Sequence, residues 1–417
     1  MPRPRILPGL FALAGLLVLP CAVTCQDTVR RVTLAEALQA FSANNLALKI
    51  AWSEAGQVAG AARQSRAYFN PSLSFGRDDL GHKGEKFWEE TIQYVQPLEW
   101  PTRTAAQRRA ATHTISASLA RFRADSLQLA FEVREAYAQA WLSEEAERTI
   151  GQAAAVIRSV ADDAEVRLDA GDISAYEARR LRLERARAEQ EMAEAGLRAR
   201  TARRHLAALI SPGTGIEEVG PSVGLEGVPP PVTREVALRT LPGRPDLEAA
   251  ARELDAAEAR VEVAGAAWIP IPTIGLGYRH HLDGFGGASV GFDLPLPLFD
   301  RGSGTREEAA SESSAAAYRL NLRRLLAETD LLNAVDRYTA SRARVEVAAE
   351  GLLADGESLL SSATAAYGEN EMTLLELLDA ASAFQDARLT ALALRSEAWI
   401  AYYDLIRAMG TSPEEEQ

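Results

Sequence analysis

Glu376 and Asp379 stand three residues apart in a stretch free of proline and glycine, so a helix there carries both carboxylates on one face. Such a pair can attract cations, and it has no nucleophile or catalytic base beside it. A solvated helix face is the plain alternative. Glu177 precedes Arg180 at the same spacing earlier in the chain, so a second acidic pair is not repeated there. The five histidines offer no His-x-x-x-His or Glu-x-x-His helical spacing, and adjacent His280 and His281 make a poor ligand pair, so no metal site is expected. His82 joins them in a Gly-rich connection, whereas His113 and His205 read as helix-face residues. Runs such as Arg179-Arg180-Leu-Arg182 are interleaved with glutamate and read as salt-laced helix surface. Gly284-Phe-Gly-Gly reads as a loop tip. With no nucleophile elbow, phosphate loop or usable cysteine, an enzyme is the least favoured class, and no cofactor is expected.

The two cysteines, Cys21 and Cys25, sit at the end of a basic-then-apolar start that reads as an export signal over residues 1–25. A cysteine directly after an apolar signal is where bacterial lipoproteins begin, which makes Cys21 or Cys25 a candidate for an N-terminal lipid. Their neighbours Val18-Leu19-Pro20 and Ala22-Val23-Thr24 are poor small-residue contexts for it. No internal disulfide can form in the mature chain. Losing Arg3 and Arg5 with the leader takes the formal charge from −13 to −15, which disfavours nucleic acid as a partner.

The elements that must position these residues follow from proline. None of the nineteen prolines falls within Thr102–Ser211 or Leu298–Ser412. A helix-interior proline costs about 3 kcal/mol, so these windows admit very long helices. Thr102–Ile150, Thr305–Glu350 and Glu369–Met409 also lack glycine and are rich in Ala, Leu, Arg and Glu. The proline-rich islands alternate with period two, in Pro71–Arg77 and Trp88–Val95, then in Pro272–Tyr278 and Val290–Leu294. Polar, Gly-rich stretches at Asp78–Glu85 and His280–Gly287 separate the members of each pair, predicting two β-hairpins at about 71–97 and 272–297.

The two halves echo each other. Val32-Thr33 returns as Val232-Thr233, Asn70-Pro71 as Ile271-Pro272, Pro97-Leu98 as Pro297-Leu298 and Ile173-Ser174 as Met372-Thr373, at offsets of 199 to 201. The expected organisation is a first repeat over 26–211, a Gly/Pro-rich linker over 212–231, a second repeat over 232–412 and a tail over 413–417. Each repeat reads helix, hairpin, long helix, turn, long helix, with turns near 171–174 and 370–373. The fold class is α+β, mostly long helices. Isolated hairpins are marginal in water, and pooling them from several copies into a closed barrel leaves no edge unpaired. Strands of about ten residues also suit a tilted bilayer crossing. In this reading Pro295 and Pro297 end the last strand and Asp300–Gly304 turns the chain into its helix.

The chain resembles an outer membrane efflux protein of the TolC family. The resemblance rests on Thr33-Leu-Ala-Glu-Ala-Leu38, Asn44-Asn45-Leu46, Asn70-Pro71-Ser-Leu-Ser74, Ala170-Gly-Asp-Ile-Ser174 and Asn370–Ala380. Leu294-Pro-Leu-Pro-Leu-Phe-Asp-Arg301 with Gly304 is similar to the heavy-metal, CzcC-like branch. The resemblance implies a homotrimer whose hairpins close a twelve-stranded transmembrane β-barrel, continued by a periplasmic α-helical barrel. Such a protein is a passive duct in the outer membrane of a Gram-negative bacterium, docked to a periplasmic membrane-fusion adaptor and an inner-membrane resistance-nodulation-division pump. It implies adaptor-contacting tips at Gly171, Asp172, Ile173 and Ser174 and at Asn370, Glu371, Met372 and Thr373. It also implies a periplasmic gate at Glu376 and Asp379, six carboxylates in a trimer. Trp88, Tyr94, Tyr278 and Phe292 are candidates for the lipid face or aromatic girdle. Heavy-metal cations are the expected cargo; organic drug efflux or type I secretion is the alternative within the same architecture. A soluble coiled-coil adaptor is disfavoured by four helix runs and two hairpins at matched offsets.

Overall fold

The computed structural model describes residues 29–82, 84–211, 218–225, 227–369 and 371–411. The leader with Cys21 and Cys25, the tip residue Asn370, and the tail at 413–417 lie outside the described residues, as do 212–217 and 226 of the linker.

The described chain opens with β1 (Arg30–Val32), α1 (Leu34–Asn44) and α2 (Leu46–Ser65). Thr33 and Glu36 form a reciprocal cap on α1, and the Asn45 side chain accepts the Leu48 amide to start α2. The hairpin β2 (Ser72–His82) and β3 (Glu85–Pro97) follows. Its strands run deeper than the polar composition of Asp78–Glu85 predicts, because Asp79 pairs with Trp88 and Leu80 with Phe87 up to a tight turn at Gly84 (φ 95°).

Next comes α3 (Pro101–Ala170), 70 residues without a break. At 1.5 Å per residue it is about 105 Å long, and it passes through Gly151, where glycine-free composition alone predicts a limit. The helix α4 (Ala175–Ile210) returns along its lower part, while α2 packs along its upper part. A single long rod is thus flanked by two shorter helices in tandem.

The linker is more ordered than its composition suggests. It contains β4 (Val219–Pro221), which pairs in parallel with β1, Arg30 opposite Val219 and Val32 opposite Pro221. The second half then has α5 (Arg234–Thr240), a single 3-10 turn, α6 (Pro245–Gly265), and the hairpin β5 (Thr273–His281) and β6 (Gly286–Asp293). Here too the strands consume part of the expected connection, leaving Leu282–Phe285 as the turn, with Gly284 at φ 85°. The last elements are α7 (Ser303–Arg344), α8 (Glu350–Gly368) and α9 (Leu374–Met409). A π-helical turn at Val345–Ala349 joins α7 to α8, so the counterpart of α3 is not uniform.

Two cores lie at the level where the halves meet. Val32, Phe41, Tyr137, Trp141, Leu206 and Ile210 form one; Leu331, Tyr338, Leu405, Ile406 and Met409 form the other. Each has a buried tyrosine that pins the linker: Tyr137 donates to the Val223 carbonyl at 2.9 Å, and Tyr338 donates to the Pro230 carbonyl. Burial pushes both phenols up, Tyr338 to about 12. Elsewhere the helix contacts are dominated by alanine, which lets long helices approach closely along their length.

Candidate functional site

The four strands of the two hairpins form one antiparallel sheet in the order β2-β3-β5-β6. Its register sorts the side chains onto two chemically distinct faces. Leu73, Phe75, Ile92, Tyr94, Ile274, Leu276, Tyr278, Val290 and Phe292 share one face, and all are exposed. The opposite face carries Ser72, Ser74, Asp78, Glu89, Thr91, Gln93, Arg279, His281, Ser289 and Asp293. Glu89 and Arg279 approach to 3.5 Å across it.

Trp88, Tyr94, Tyr278 and Phe292 all fall on the apolar face. Near the hairpin end, Trp88 lies under the Arg77 guanidinium at 5.1 Å and beside the His280 ring at 5.5 Å. Glycine is needed at one crossing in particular: a Cβ on Gly277 would sit 2.9 Å from the Ile92 carbonyl. Among the described residues of this sheet, only β3 and β5 are paired on both sides. The outer edges of β2 and β6 carry unpaired ladder groups within the chain.

At the far ends of the long helices the chain makes two equivalent turns. In the first, Gly171 takes the left-handed conformation (φ 83°) that ends α3, and Ser174 caps α4 by a reciprocal pair with Glu177. In the second, Glu371 and Met372 form the bend and Thr373 caps α9 in the same way with Glu376. Ile173, Met372 and Leu374 pack with Val160, Leu181 and Leu377, so the two tips share one apolar cluster. Gly171, Asp172, Ser174, Glu371 and Thr373 remain exposed around it, with Ile173 and Met372 half-buried.

Glu376 therefore has a structural task as well as a charge. Its Oε2 accepts the Thr373 hydroxyl at 2.7 Å and the Thr373 amide at 2.8 Å. These bonds hold its carboxyl below the usual range and keep it ionised, and Ser174 does the same for Glu177. Asp379 is exposed one turn on, and Asp386 continues the stripe two turns later. Asp386 was missed in the sequence because its spacing to Asp379 crosses the intervening Ala383. The caps were legible as Ser/Thr-x-x-Glu.

His113 contacts Asp255 at 3.4 Å, and His281 packs against Phe87 with ring centres 5.6 Å apart. Among the described residues no cluster of three metal-ligating side chains occurs, and no helix is long and apolar enough to cross a membrane. A groove of about 840 Å³ between α3, α6 and α7 is lined by charged residues such as Arg121, Asp246, Arg323 and Asp330, several already engaged in ion pairs.

The described chain thus combines long paired helices with a four-stranded sheet that has one apolar and one polar face. Known proteins carry the same combination. Residues 238–411 match the family described as "Outer membrane efflux protein". The cobalt-zinc-cadmium resistance protein CzcC of Cupriavidus metallidurans is 27% identical over 384 residues, 91% of this chain and 90% of that one. The fold is that of the outer membrane protein VceC from Vibrio cholerae (TM-score 0.74, 20% identity, 91% of this chain and 96% of that chain). The Campylobacter jejuni CmeC outer membrane channel is equally similar (TM-score 0.75, 17% identity, 98% and 94% covered), as is CusC (TM-score 0.75, 17% identity, 92% and 94%). The chain thus matches an outer membrane efflux protein family over residues 238–411 and shares its fold with outer membrane channels.

Proposed function

We propose that three copies of this chain form the outer-membrane duct of a tripartite efflux system that exports heavy-metal cations. The observation that carries the trimer is the four-stranded sheet itself: one face apolar, one polar, and both edges open. Three such sheets joined edge to edge make twelve strands, place the apolar face in lipid and enclose a polar lumen. The helices support the same closure. Within the chain α3 lies between α2 and α6, and α6 packs on α7. The outer helices α2 and α7 expose Leu46, Ile50 and Val58, and Tyr318, Leu322 and Leu325, which a neighbouring copy would cover.

The two capped tips, standing at one end and sharing a core, suit docking on a periplasmic adaptor and through it on an inner-membrane resistance-nodulation-division pump. Asp379, with Glu376 and Asp386, lies on the exposed face of α9 near that end and would line a cation-favouring aperture in the trimer. The likeness to CzcC is the support for metal cargo. Deleting the gene and measuring growth on Co, Zn, Cd, Ni, Cu and Ag salts beside dyes, detergents and antibiotics tests the reading. Hypersensitivity confined to metals and restored by the intact gene is the expected result. Sensitivity to organic compounds alone would transfer the duct to drug export.

A further inference from the structure

The segment Leu294-Pro-Leu-Pro-Leu-Phe299 follows β6 and is almost uncovered: Leu296 is 68% exposed, Leu298 65% and Phe299 99%. Its prolines alternate with its leucines, and the direction of the backbone groups explains the alternation. In an antiparallel strand successive residues bond to opposite neighbours. His281 donates to the Phe285 carbonyl within the β5–β6 pair, whereas Leu282 donates across to Trp88 of β3. Odd-numbered residues of β6 therefore point their amides at β5, and even-numbered residues point theirs at the open edge. Continued past Asp293, the same alternation aims positions 295 and 297 inward, beyond the first residue of β5, Thr273. Those two positions are proline, which has no amide to leave unpaired. Leu294 and Leu296 keep their amides, and both face the open edge.

Length gives a second, independent match. β2 has 11 residues and β6 has eight, so β6 alone leaves the start of β2 without a partner in any edge-to-edge joining. If Asp293 stands opposite Gly76, then β6 covers β2 from Gly76 to its end and Leu294–Pro297 covers Phe75, Ser74, Leu73 and Ser72. At Pro297 the strand stops, because the Leu298 amide turns back onto the Leu296 carbonyl at 2.9 Å. Side-chain chemistry agrees with this register. Leu294 comes beside Phe75 and Leu296 beside Leu73, all on the apolar face, and Phe292 comes beside Arg77. The offsets between the repeats, 201 at Pro71/Pro272 and 200 at Pro97/Pro297, carry the observed β3–β5 register onto this same pairing.

We infer that the proline-spaced segment Leu294–Pro297 is an extension of β6 that zips onto β2 of a second copy, with residue numbers across the joint summing to 369. The inference rests on the trimeric reading above. It assigns to the segment the register that closes the barrel, beyond an exit from the membrane.

Paired cysteines test it. Asp293 and Gly76 each bond to their own chain's inner neighbour, so they face each other at a non-hydrogen-bonded position, where Cβ atoms lie about 4.5–5.5 Å apart and a disulfide can form. A Cβ on Gly76 meets nothing within 4 Å. The double variant Asp293→Cys with Gly76→Cys is expected to give covalent trimers on oxidation of the full protein in membranes. Asp293→Cys with Ser74→Cys, and with Asp78→Cys, shift the pairing by two residues and are expected to stay uncrosslinked. Single variants control for Cys21 and Cys25. Cross-linking by a shifted pair alone would overturn the register while keeping the trimer. Trimers by light scattering with no cross-link from any pair would overturn this joint altogether, and monomers would overturn the trimeric reading with it. Leu296→Pro is expected to abolish heat-resistant trimers on gels, whereas Pro295→Ala leaves them; equal behaviour of the two would also refute the proposal.

Discussion

Arg244 offers the sharpest test of how the second half is held together. It precedes α6 and is only 7% exposed. Its Nε and one terminal nitrogen fork the Asp246 carboxylate at 3.0 Å each, and the other nitrogen donates to the Ala408 carbonyl at 2.6 Å and to Asp330 at 3.3 Å. One guanidinium thus ties the start of α6 to the end of α9 and to α7. Arg244→Met keeps much of the packing and removes every bond. Breaking a fully buried ion pair costs about 3–5 kcal/mol; partial exposure of Asp246 and Asp330 lets water return and reduces the expected loss to about 2–3 kcal/mol. Burial pushes the Asp246 carboxyl up, but the hydrogen bonds and charge of Arg244 outweigh it and hold it below its ordinary value. A depressed carboxylate stabilises the fold above its unfolded pKa of about 4, and that contribution is lost as pH falls through the lower folded value. Urea unfolding of the detergent-solubilised protein by circular dichroism, from pH 7 down to about 3, reads both effects. Wild type is expected to lose stability on the acid limb, and Arg244→Met to start lower with a flatter limb. A loss below about 1 kcal/mol at pH 7, or parallel acid limbs, would refute the argument.

Two further outcomes follow. Tyr137→Phe and Tyr338→Phe each strand a linker carbonyl, so each is expected to cost about 1 kcal/mol in the same unfolding measurement and to speed proteolysis within the linker. Asp379→Asn is expected to lower the cation preference of the channel in planar bilayers, read as a shift of reversal potential towards zero under a salt gradient. Glu376→Gln, by contrast, should weaken the α9 cap as well, and equal selectivity in wild type and Asp379→Asn would remove Asp379 from the aperture.

Much of the fold was legible because its signals are negative ones. Absence of proline over Thr102–Ser211 marks the α3–α4 arms, and period-two alternation marks the strands. What escaped the sequence depends on contacts between distant residues. The three-residue strand β1 has no pattern of its own and exists because β4 lies beside it. The polar hairpin ends are strand because Leu80 and Phe87 pair across them. Gly151 sits inside α3 because neighbouring helices outweigh its cost. The π turn at Val345–Ala349 has no local signature. At the tips, the acidic pair was found by spacing, but Thr373 shows that one of its members also serves the backbone.

The pairing of β1 with β4 has a consequence in time. Arg30 is made early in synthesis, and its partner Val219 follows almost two hundred residues later. Until then the N-terminal strand, α1 and the upper part of α3 have no completed core, and closing so long a loop carries an entropic cost of about 4–5 kcal/mol. Once Pro221 has been made, β1 and β4 can pair before the second half, whose α9 adds Leu392 to the same core, is complete. The order of synthesis thus becomes an order of assembly: one arm with its strands paired is in place for the other to fold against.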